Sequence, residues 1–450
     1  MSRVVALIDG EHYPPVVRFA LGELGREHEV VAAAFLGGTE KIDLGAGLDA
    51  YGVPLVTAST AAEALSTALE RYAPDAVVDL SDEPVLTSAE RFELASIALA
   101  FGAEYRGADF AFKPPRAQVV TATPALSIIG TGKRVGKTAI SAFIARQLKA
   151  AGVDVAVLAM GRGGPAEPEL IYGDRVALTT PDLLALARQG VHASSDNYED
   201  AVMSRVTTVG CRRCGGGMAG ETFFSNVPEG ARLADGLGKE LLILEGSGSA
   251  IPPVAADATV LVIGAGRGET YVRDYFGPYR LARADLAIIA TAEEPIATPG
   301  QIEAIRKAIT SMRPDLPVIA TTFRPAPIEP VAGKRVFFAT TAPAAILPML
   351  VAHLEAQFGC VVVATSANLS NRSLLRGEMA AAAGQFDLLL TELKAAAIDV
   401  VAAAGDEWSV PTVLCDNVPV AVNRTDLDGA IEAVARTAVA RGRAREEVAP

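Results

Sequence analysis

Cysteine, long apolar runs and excess positive charge are what this sequence has least of. Four cysteines in 450 residues fit a reducing compartment. Half of the residues are hydrophobic, yet much of that half is alanine. No run of eighteen apolar residues occurs, so no membrane-spanning helix is expected. The start, Met1-Ser2-Arg3-Val4-Val5, moves straight into an apolar strand without a signal peptide, and a cytoplasmic protein is the expectation. The formal charge of −13 has the wrong sign for a general nucleic-acid binder. Lysine is scarce beside alanine and arginine, which gives no hyperthermophile signature. At this length two or more domains are expected, each burying its own core.

The basic residues that stand out sit beside glycines: Lys133, Arg134 and Lys137, then Arg162, then Arg212 and Arg213, then Arg267. An acidic chain that gathers cations at glycine loops is suited to hold a small polyanion. Any one of these arginines taken alone reads equally as a solvated loop side chain.

The chain is organised around Gly130-Thr131-Gly132-Lys133-Arg134-Val135-Gly136-Lys137-Thr138. An apolar run from Ala125 to Ile129 precedes it, and Ala139 to Ala150 follows with apolar residues at helical spacing. Strand, glycine loop and helix in that order are the context of a phosphate-binding loop. Its backbone N–H groups and the helix N-terminus would face an anion. Lys137 would reach the outer phosphates of ATP, and the Thr138 hydroxyl would sit on Mg²⁺. The first glycine lies six residues before Gly136 instead of the common five. That form resembles dethiobiotin synthetase and its relatives.

Alternating strands and helices give the fold class: α/β, with a Rossmann-like parallel-sheet domain over 1–115, a linker over 116–124, and a P-loop domain with a C-terminal α/β extension over 125–450. In the first domain three polar loops end strands: Asp9-Gly10-Glu11-His12-Tyr13, Gly37-Gly38-Thr39 and Asp79 to Glu83. Their acids either bind a metal or cap helices. His12, among Asp9, Glu11 and Tyr13, reads as a base or a phosphate ligand. In the P-loop domain, Gly161-Arg162-Gly163-Gly164-Pro165 reads as a second anion cradle. Cys211 to Gly220 reads as a long glycine-rich loop. Its Cys211-Arg212-Arg213-Cys214 has metal-ligand spacing, which leaves open a zinc site completed across a dimer or by a histidine, or a redox pair. The preferred reading is a substrate loop with incidental thiols. Glu245, ending the apolar run Leu241–Leu244 before Gly246-Ser247-Gly248, stands where a Mg²⁺ ligand would. Gly264 to Thr270 is a third glycine loop, carrying Arg267 and only a partial dinucleotide fingerprint. Thr321 to Pro325 reads as a strand-end loop, and the tail after Arg441 as frayed.

The stretches I-D-G-E-H-Y-P-P-V (Ile8–Val16), M-G-R-G-G-P (Met160–Pro165), G-T-G-K-R-V-G-K-T, C-R-R-C-G-G-G and L-E-G-S-G occur in this order. Together they make the chain resemble the cyclic 2,3-diphosphoglycerate synthetase family over nearly its whole length. The resemblance implies ATP-driven closure of a phosphoanhydride ring in 2,3-bisphosphoglycerate. Lys137, Lys133, and Mg²⁺ on Thr138 and Glu245 would then neutralise the transferring group. Arg162, Arg212, Arg213 and Arg267, with Gly163 and Gly164, would hold the bisphosphate, and the Asp9–Tyr13 loop would close the site. In the relatives of dethiobiotin synthetase the Thr321–Pro325 position holds adenine. Two other readings stay open: a P-loop kinase or ligase for another small acid, and a nucleotide-switch ATPase. An apolar sheet edge allows a homodimer.

Overall fold

The computed structural model describes residues 1–38 and 51–448; Thr39, grouped above with Gly37 and Gly38, lies outside them. Its first sheet contains β1 (Arg3–Ile8), β2 (Glu29–Phe35), β3 (Leu55–Val56), β4 (Ala76–Asp79), β5 (Glu104–Arg106) and β6 (Ala111–Phe112). The order is β3-β2-β1-β4-β5-β6, parallel except for the β5–β6 hairpin. Five of the six residues of β1 are buried, as expected for a central strand covered on both faces. The helices start where the sequence signals them. Pro14 opens the first, a position where its missing N–H costs nothing. Thr60 and Thr87 cap the next two, the latter in a reciprocal box with Glu90.

The second sheet has thirteen strands. They are β7 (Ala125–Gly130), β8 (Val155–Gly161), β9 (Glu169–Tyr172), β10 (Thr207–Cys214), β11 (Phe224–Ser225), β12 (Leu241–Glu245), β13 (Ala258–Gly264), β14 (Leu286–Ala290), β15 (Val318–Pro327), β16 (Arg335–Ala339), β17 (Val361–Ser366), β18 (Leu388–Glu392) and β19 (Thr412–Ala421). The path runs β11-β10-β8-β12-β7-β13-β14-β15-β19-β18-β16-β17, with β9 on β10. Two parallel blocks meet in its middle. Val318–Ala320 of β15 pairs parallel with β14, then Thr321–Pro327 runs on alone to pair antiparallel with Cys415–Ala421 of β19. The start of β19 pairs parallel with β18. The seven-residue arms span about 23 Å at ~3.3 Å per residue. They turn the carboxyl ends of both blocks toward one shared space.

Three expectations change here. Cys211 to Cys214 continues β10 as a strand instead of opening the loop. Residues three apart on a strand point to opposite faces, and Cys211 is buried while Cys214 is exposed, so the two thiols do not converge on a metal. Thr321–Pro325 lies inside the arm of β15, where backbone pairing with β19 replaces a loop. The tail after Arg441 is the end of a helix spanning Leu427–Val448. That helix buries Leu427, Ile431, Val434 and Ala438 against the P-loop half. Arg441 pairs with Asp285 at 2.8 Å, and Arg445 pairs at 3.1 Å with Asp257, whose carboxylate also takes the Ala125 N–H at 2.8 Å.

Residues 116–124 are pinned to the second sheet's half. Gln118 N–H donates to Pro253 O and the Ala255 N–H to Val119 O, while Asp235 accepts from the backbones of Ala122 and Thr123. The first sheet's half contacts the second through aromatic rings. Phe92 and Phe112 meet Phe276 edge-on, with centroids 5.5 and 5.1 Å away. No helix among the described residues is long and apolar enough to cross a membrane.

Removing residues 441–450 should lower the melting temperature by a few degrees. Asp257, with its side chain 7% exposed, loses its charged partner at a cost of about 1–3 kcal/mol. Calorimetric melting of the truncated chain checks this; an unchanged melting temperature would show that the helix end contributes nothing.

Candidate active site

The facing strand ends enclose a cleft of about 1130 Å³. A pocket for one drug-sized ligand measures ~300–1,000 Å³, and this cleft lies just above that range. Its floor is the loop between β7 and the helix Lys137–Ala150. Val135 turns into the core and Ile140 anchors the helix beneath it. Gly136 is left-handed, with φ +90°, and a Cβ there would stand 2.3 Å from the Phe323 ring of the β15 arm, so only glycine fits. The Lys137 ammonium folds back onto the Gly132 carbonyl at 2.9 Å, and a Cβ on Gly130 would collide with its stem. Burial lowers the Lys137 pKa to about 8. The Thr131 N–H is tied to Val262 O; Lys133 and Arg134 are exposed at the rim.

Behind the loop lies a buried acid group. Glu245 ends β12, next to the P-loop strand, with Glu245 in register with Ile128. Burial raises it to about 7, and Asp196 adds to the rise. Thr138 and Asp200 beside it moderate that rise, while burial and the Glu245 charge push Asp200 well above the carboxylate range. Both Asp200 oxygens are buried without a hydrogen-bond partner. Glu245 Oε2 is buried without a hydrogen-bond partner. An orphaned hard oxygen beside a threonine hydroxyl at the P-loop fits Mg²⁺, which asks for one or two protein oxygens and takes the rest from phosphates and water. Among the described residues no cluster of three or more acids, histidines and cysteines suits a metal held by protein alone.

The cations converge unevenly. Lys133, Arg134, Arg162 and Arg267 line the cleft. Pairing in register sets Arg212 of β10 opposite Gly161 of β8, bringing the two basic loops side by side. A Cβ on Gly164 would stand 2.0 Å from Cys211 O, so the two strand ends touch there. Arg213 reaches Ser247 O at 2.8 Å. The guanidinium nitrogens of Arg213 and Arg162 both lie within 3.2–3.5 Å of the point where Gly248 would bear a Cβ. The nearby Arg162 charge lowers the pKa of Lys133; burial, then Arg162, lowers that of Arg213. Among the described residues none of these three forms an ion pair with a carboxylate. Arg212 turns away: its Nε donates to the carbonyls of Gly164 and Pro165, bracing the loop without lining the cleft. Arg267 lies over the Tyr271 ring, 5.3 Å from its centroid.

The sequence reading missed several lining residues. His192 and Asp196 stand beside Arg162, Asp196 opening the helix Asp196–Ser204. Lys394, past the end of β18, pairs with Glu199 at 3.0 Å; burial would depress its ammonium, but Glu199 and Glu392 hold it above its ordinary value. Phe323, Ile296, Ile346 and Leu350 form an apolar wall. Arg324 beside them is neutralised by Glu293 through two bonds of 2.7 Å. Lys394 lies two residues past the carboxyl end of β18, where a lone lysine carries no local motif.

Asp9, Gly10, Glu11, His12 and Tyr13 do not line this cleft. They end β1 in the first sheet, beside the loop after β4. Asp9 is buried; its carboxylate accepts from Glu11 N, His12 N, His12 Nδ1 at 2.8 Å and Asp82 N at 2.8 Å. His12 Nε2 lies 3.4 Å from Asp82.

Family models for cyclic 2,3-diphosphoglycerate synthetase match all three parts of the chain: the N-terminal domain over residues 3–113, the P-loop domain over 125–322 and the C-terminal domain over 327–418. The chain is 52% identical over 443 residues to the cyclic 2,3-diphosphoglycerate synthetase of Rubrobacter xylanophilus, covering 98% of each. It belongs to the cyclic 2,3-diphosphoglycerate synthetase family. The synthetase of Methanothermus fervidus is 45% identical over 456 residues, covering 97% of this chain and 98% of its own. That of Thermococcus kodakarensis is 48% identical over 424 residues, covering 94% and 96%. In this cyclic 2,3-diphosphoglycerate synthetase fold, the boundary between the matched P-loop and C-terminal domains falls within the β15 arm.

The Asp9–His12 pair gives a pH-dependent term in stability. The Asp9 hydrogen bond raises the His12 pKa above its ordinary 6.5, so this stabilisation is fully present below pH ~6.5 and fades as pH rises through the folded value. The melting temperature of His12→Gln should therefore lie further below the parent at pH 6 than at pH 9. Equal gaps at both values would remove the charge contribution.

Proposed function

We propose that this chain closes a phosphoanhydride ring in 2,3-bisphosphoglycerate at the expense of ATP, giving cyclic 2,3-diphosphoglycerate, ADP and phosphate. The observation that carries this reading, beyond family membership, is the cluster of Lys133, Arg162 and Arg213. Three mutually repelling cations that face Asp196 without forming an ion pair among the described residues leave excess positive charge beside a P-loop lysine, which a multiply charged anion balances.

The chemistry needs no nucleophilic side chain. The terminal phosphoryl group of ATP passes to an oxygen of one substrate phosphate, breaking its bond to the bridging oxygen, and ADP leaves with that electron pair. An oxygen of the other substrate phosphate then attacks the inner phosphorus of the new diphosphate. Inorganic phosphate departs with the electrons of the cleaved bond, and the ring is closed. Positioning and charge neutralisation carry both steps. Lys137 leaves Gly132 O for the triphosphate, whose charge favours the protonated amine. Lys133 and Arg162 hold the transferring group, while Arg213, Arg267 and the Gly163–Gly164 backbone hold the acceptor, braced by Arg212. Thr138 and Glu245 would hold Mg²⁺, which supplies charge neutralisation on the nucleotide phosphates. The apolar wall around Phe323 takes the adenine.

The same reading divides the chain into an N-terminal unit over 1–115, a connecting segment over 116–124 and a catalytic part over 125–450, supported by the two separate sheets. It assigns the P-loop part to the dethiobiotin-synthetase-like class, supported by Glu245-Gly246-Ser247-Gly248 beside the P-loop strand. It places the protein in the cytoplasm, where its four free thiols stay reduced. It includes a homodimer, supported by exposed Val361 and Val363 on the terminal strand β17.

ATP turnover should depend on added 2,3-bisphosphoglycerate, and phosphorus NMR of the mixture should show a ring anhydride; turnover with a linear phosphorylated product would instead mean a kinase. Lys137→Ala should reduce turnover by at least about 10³-fold with an unchanged melting profile. Arg162→Ala should weaken kcat/KM for the bisphosphate by about 10–100-fold, the loss of a hydrogen bond to a charged group, while ADP affinity stays near the parent's. Unchanged kinetics would return Arg162 to a solvated surface role.

A further inference from the structure

Arg280 is 4% exposed, and among the described residues it forms no ion pair with a carboxylate. Burying a cation without a counter-ion is expensive, and burial lowers this guanidinium only to about 10, so it remains charged. Its partners are three carbonyls on different segments. Nη1 donates to Phe276 O at 3.1 Å, and Nη2 donates to Met218 O at 3.2 Å and Ser249 O at 2.7 Å. Met218 lies in the loop after β10, which carries Arg213. Ser249 follows Ser247 and Gly248, the points on which Arg213 and Arg162 converge. Gly220 O accepts from Ile251 N at 2.8 Å, tying the two loops together beside the guanidinium.

The opposite side of Arg280 faces the N-terminal unit. It stands on the short helix Gly277–Ala282, which packs against the helix Ser88–Ala100. The ring of Phe276, whose carbonyl Arg280 holds, is fully buried against Phe92 and Phe112, which also touch each other.

We propose that Arg280 is a positioning residue for the bisphosphate, fixing the Ser247–Ser249 and Met218 loops that aim Arg213, and that it links this pole to the packing of the N-terminal unit on Phe276. The assignment of the substrate rests on the functional reading above. The N-terminal unit, whose own polar loop does not line the cleft, then acts on the reaction through Phe276, the Arg280 guanidinium and the Ser249 carbonyl in turn.

In the full chain, Arg280→Gln should raise the KM for 2,3-bisphosphoglycerate by at least about tenfold, while the calorimetric Kd for ADP stays within about twofold. Arg280→Lys keeps the charge but cannot span three carbonyls, and should fall between the two; it carries the test if the Gln variant does not fold. Phe276→Leu, which loosens the aromatic packing, should move the same KM in the same direction. A parent-like bisphosphate KM in the folded variant, or equal losses for bisphosphate and ADP, overturns the proposal. If the parent shows no bisphosphate-dependent release of ADP, it is the functional reading that falls. The positioning role is then read from calorimetric binding of inorganic pyrophosphate to the ADP-loaded parent and variant: weaker binding in the variant upholds it, and no difference overturns it.

Discussion

The antiparallel pairing of Thr321–Pro327 with Cys415–Ala421 is the constraint on which the cleft depends. A parallel sheet presents its functional loops at one edge. Joining two such blocks side by side in the same sense would leave a single long edge facing solvent. Here the two central strands outrun their parallel neighbours and pair with each other, so the blocks meet head to head. Loops at the carboxyl ends of both blocks then line one cleft, and residues as distant in sequence as Lys137 and Lys394 become neighbours through the acids around Glu199.

Charge is sorted within that volume. The carboxyl groups of Glu245, Glu199 and Asp200 are buried behind the phosphate loop, where Glu245 and Glu199 compensate Lys137 and Lys394. Arg162 and Arg213 stand nearer the opening and form no ion pair among the described residues, with Asp196 as the nearby acid. This sorting explains how a protein of net charge −13 can receive a highly negative reactant: the excess acid lies elsewhere or is hidden from it.

Much of this was legible in the residues. The apolar runs Ala125–Ile129 and Leu241–Leu244 are strands β7 and β12, each one residue longer, because a continuous apolar run closed by glycine or acid leaves little choice of bounds. Gly136, Lys137 and Glu245 were readable because their chemistry depends on local order along the chain. The errors share a physical origin. The Cys211–Cys214 segment is polar and exposed at its end, and it is a strand only because β8 and β11 pair with it. The β15 arm looked like a loop because its pairing partner lies about a hundred residues further on, a contact without local signature. His192, Asp196 and Lys394 escaped for the same reason. The Asp9–Tyr13 loop carries the right residue types for a site, yet its sheet holds it apart from the cleft, and Asp9 satisfies its carboxylate with its own turn and the Asp82 N–H.

The near-collision between position 164 and the carbonyl of residue 211 also bears on how this architecture can change over time. The glycine loop after β8 and the end of β10 are in close contact at that point, so residue 164 cannot acquire a side chain unless the backbone at Cys211 moves with it. Drift at residue 164 is thereby tied to the backbone around Arg212 and Arg213. The neighbourhood can be inherited whole or rebuilt whole, but a lineage cannot explore it one position at a time.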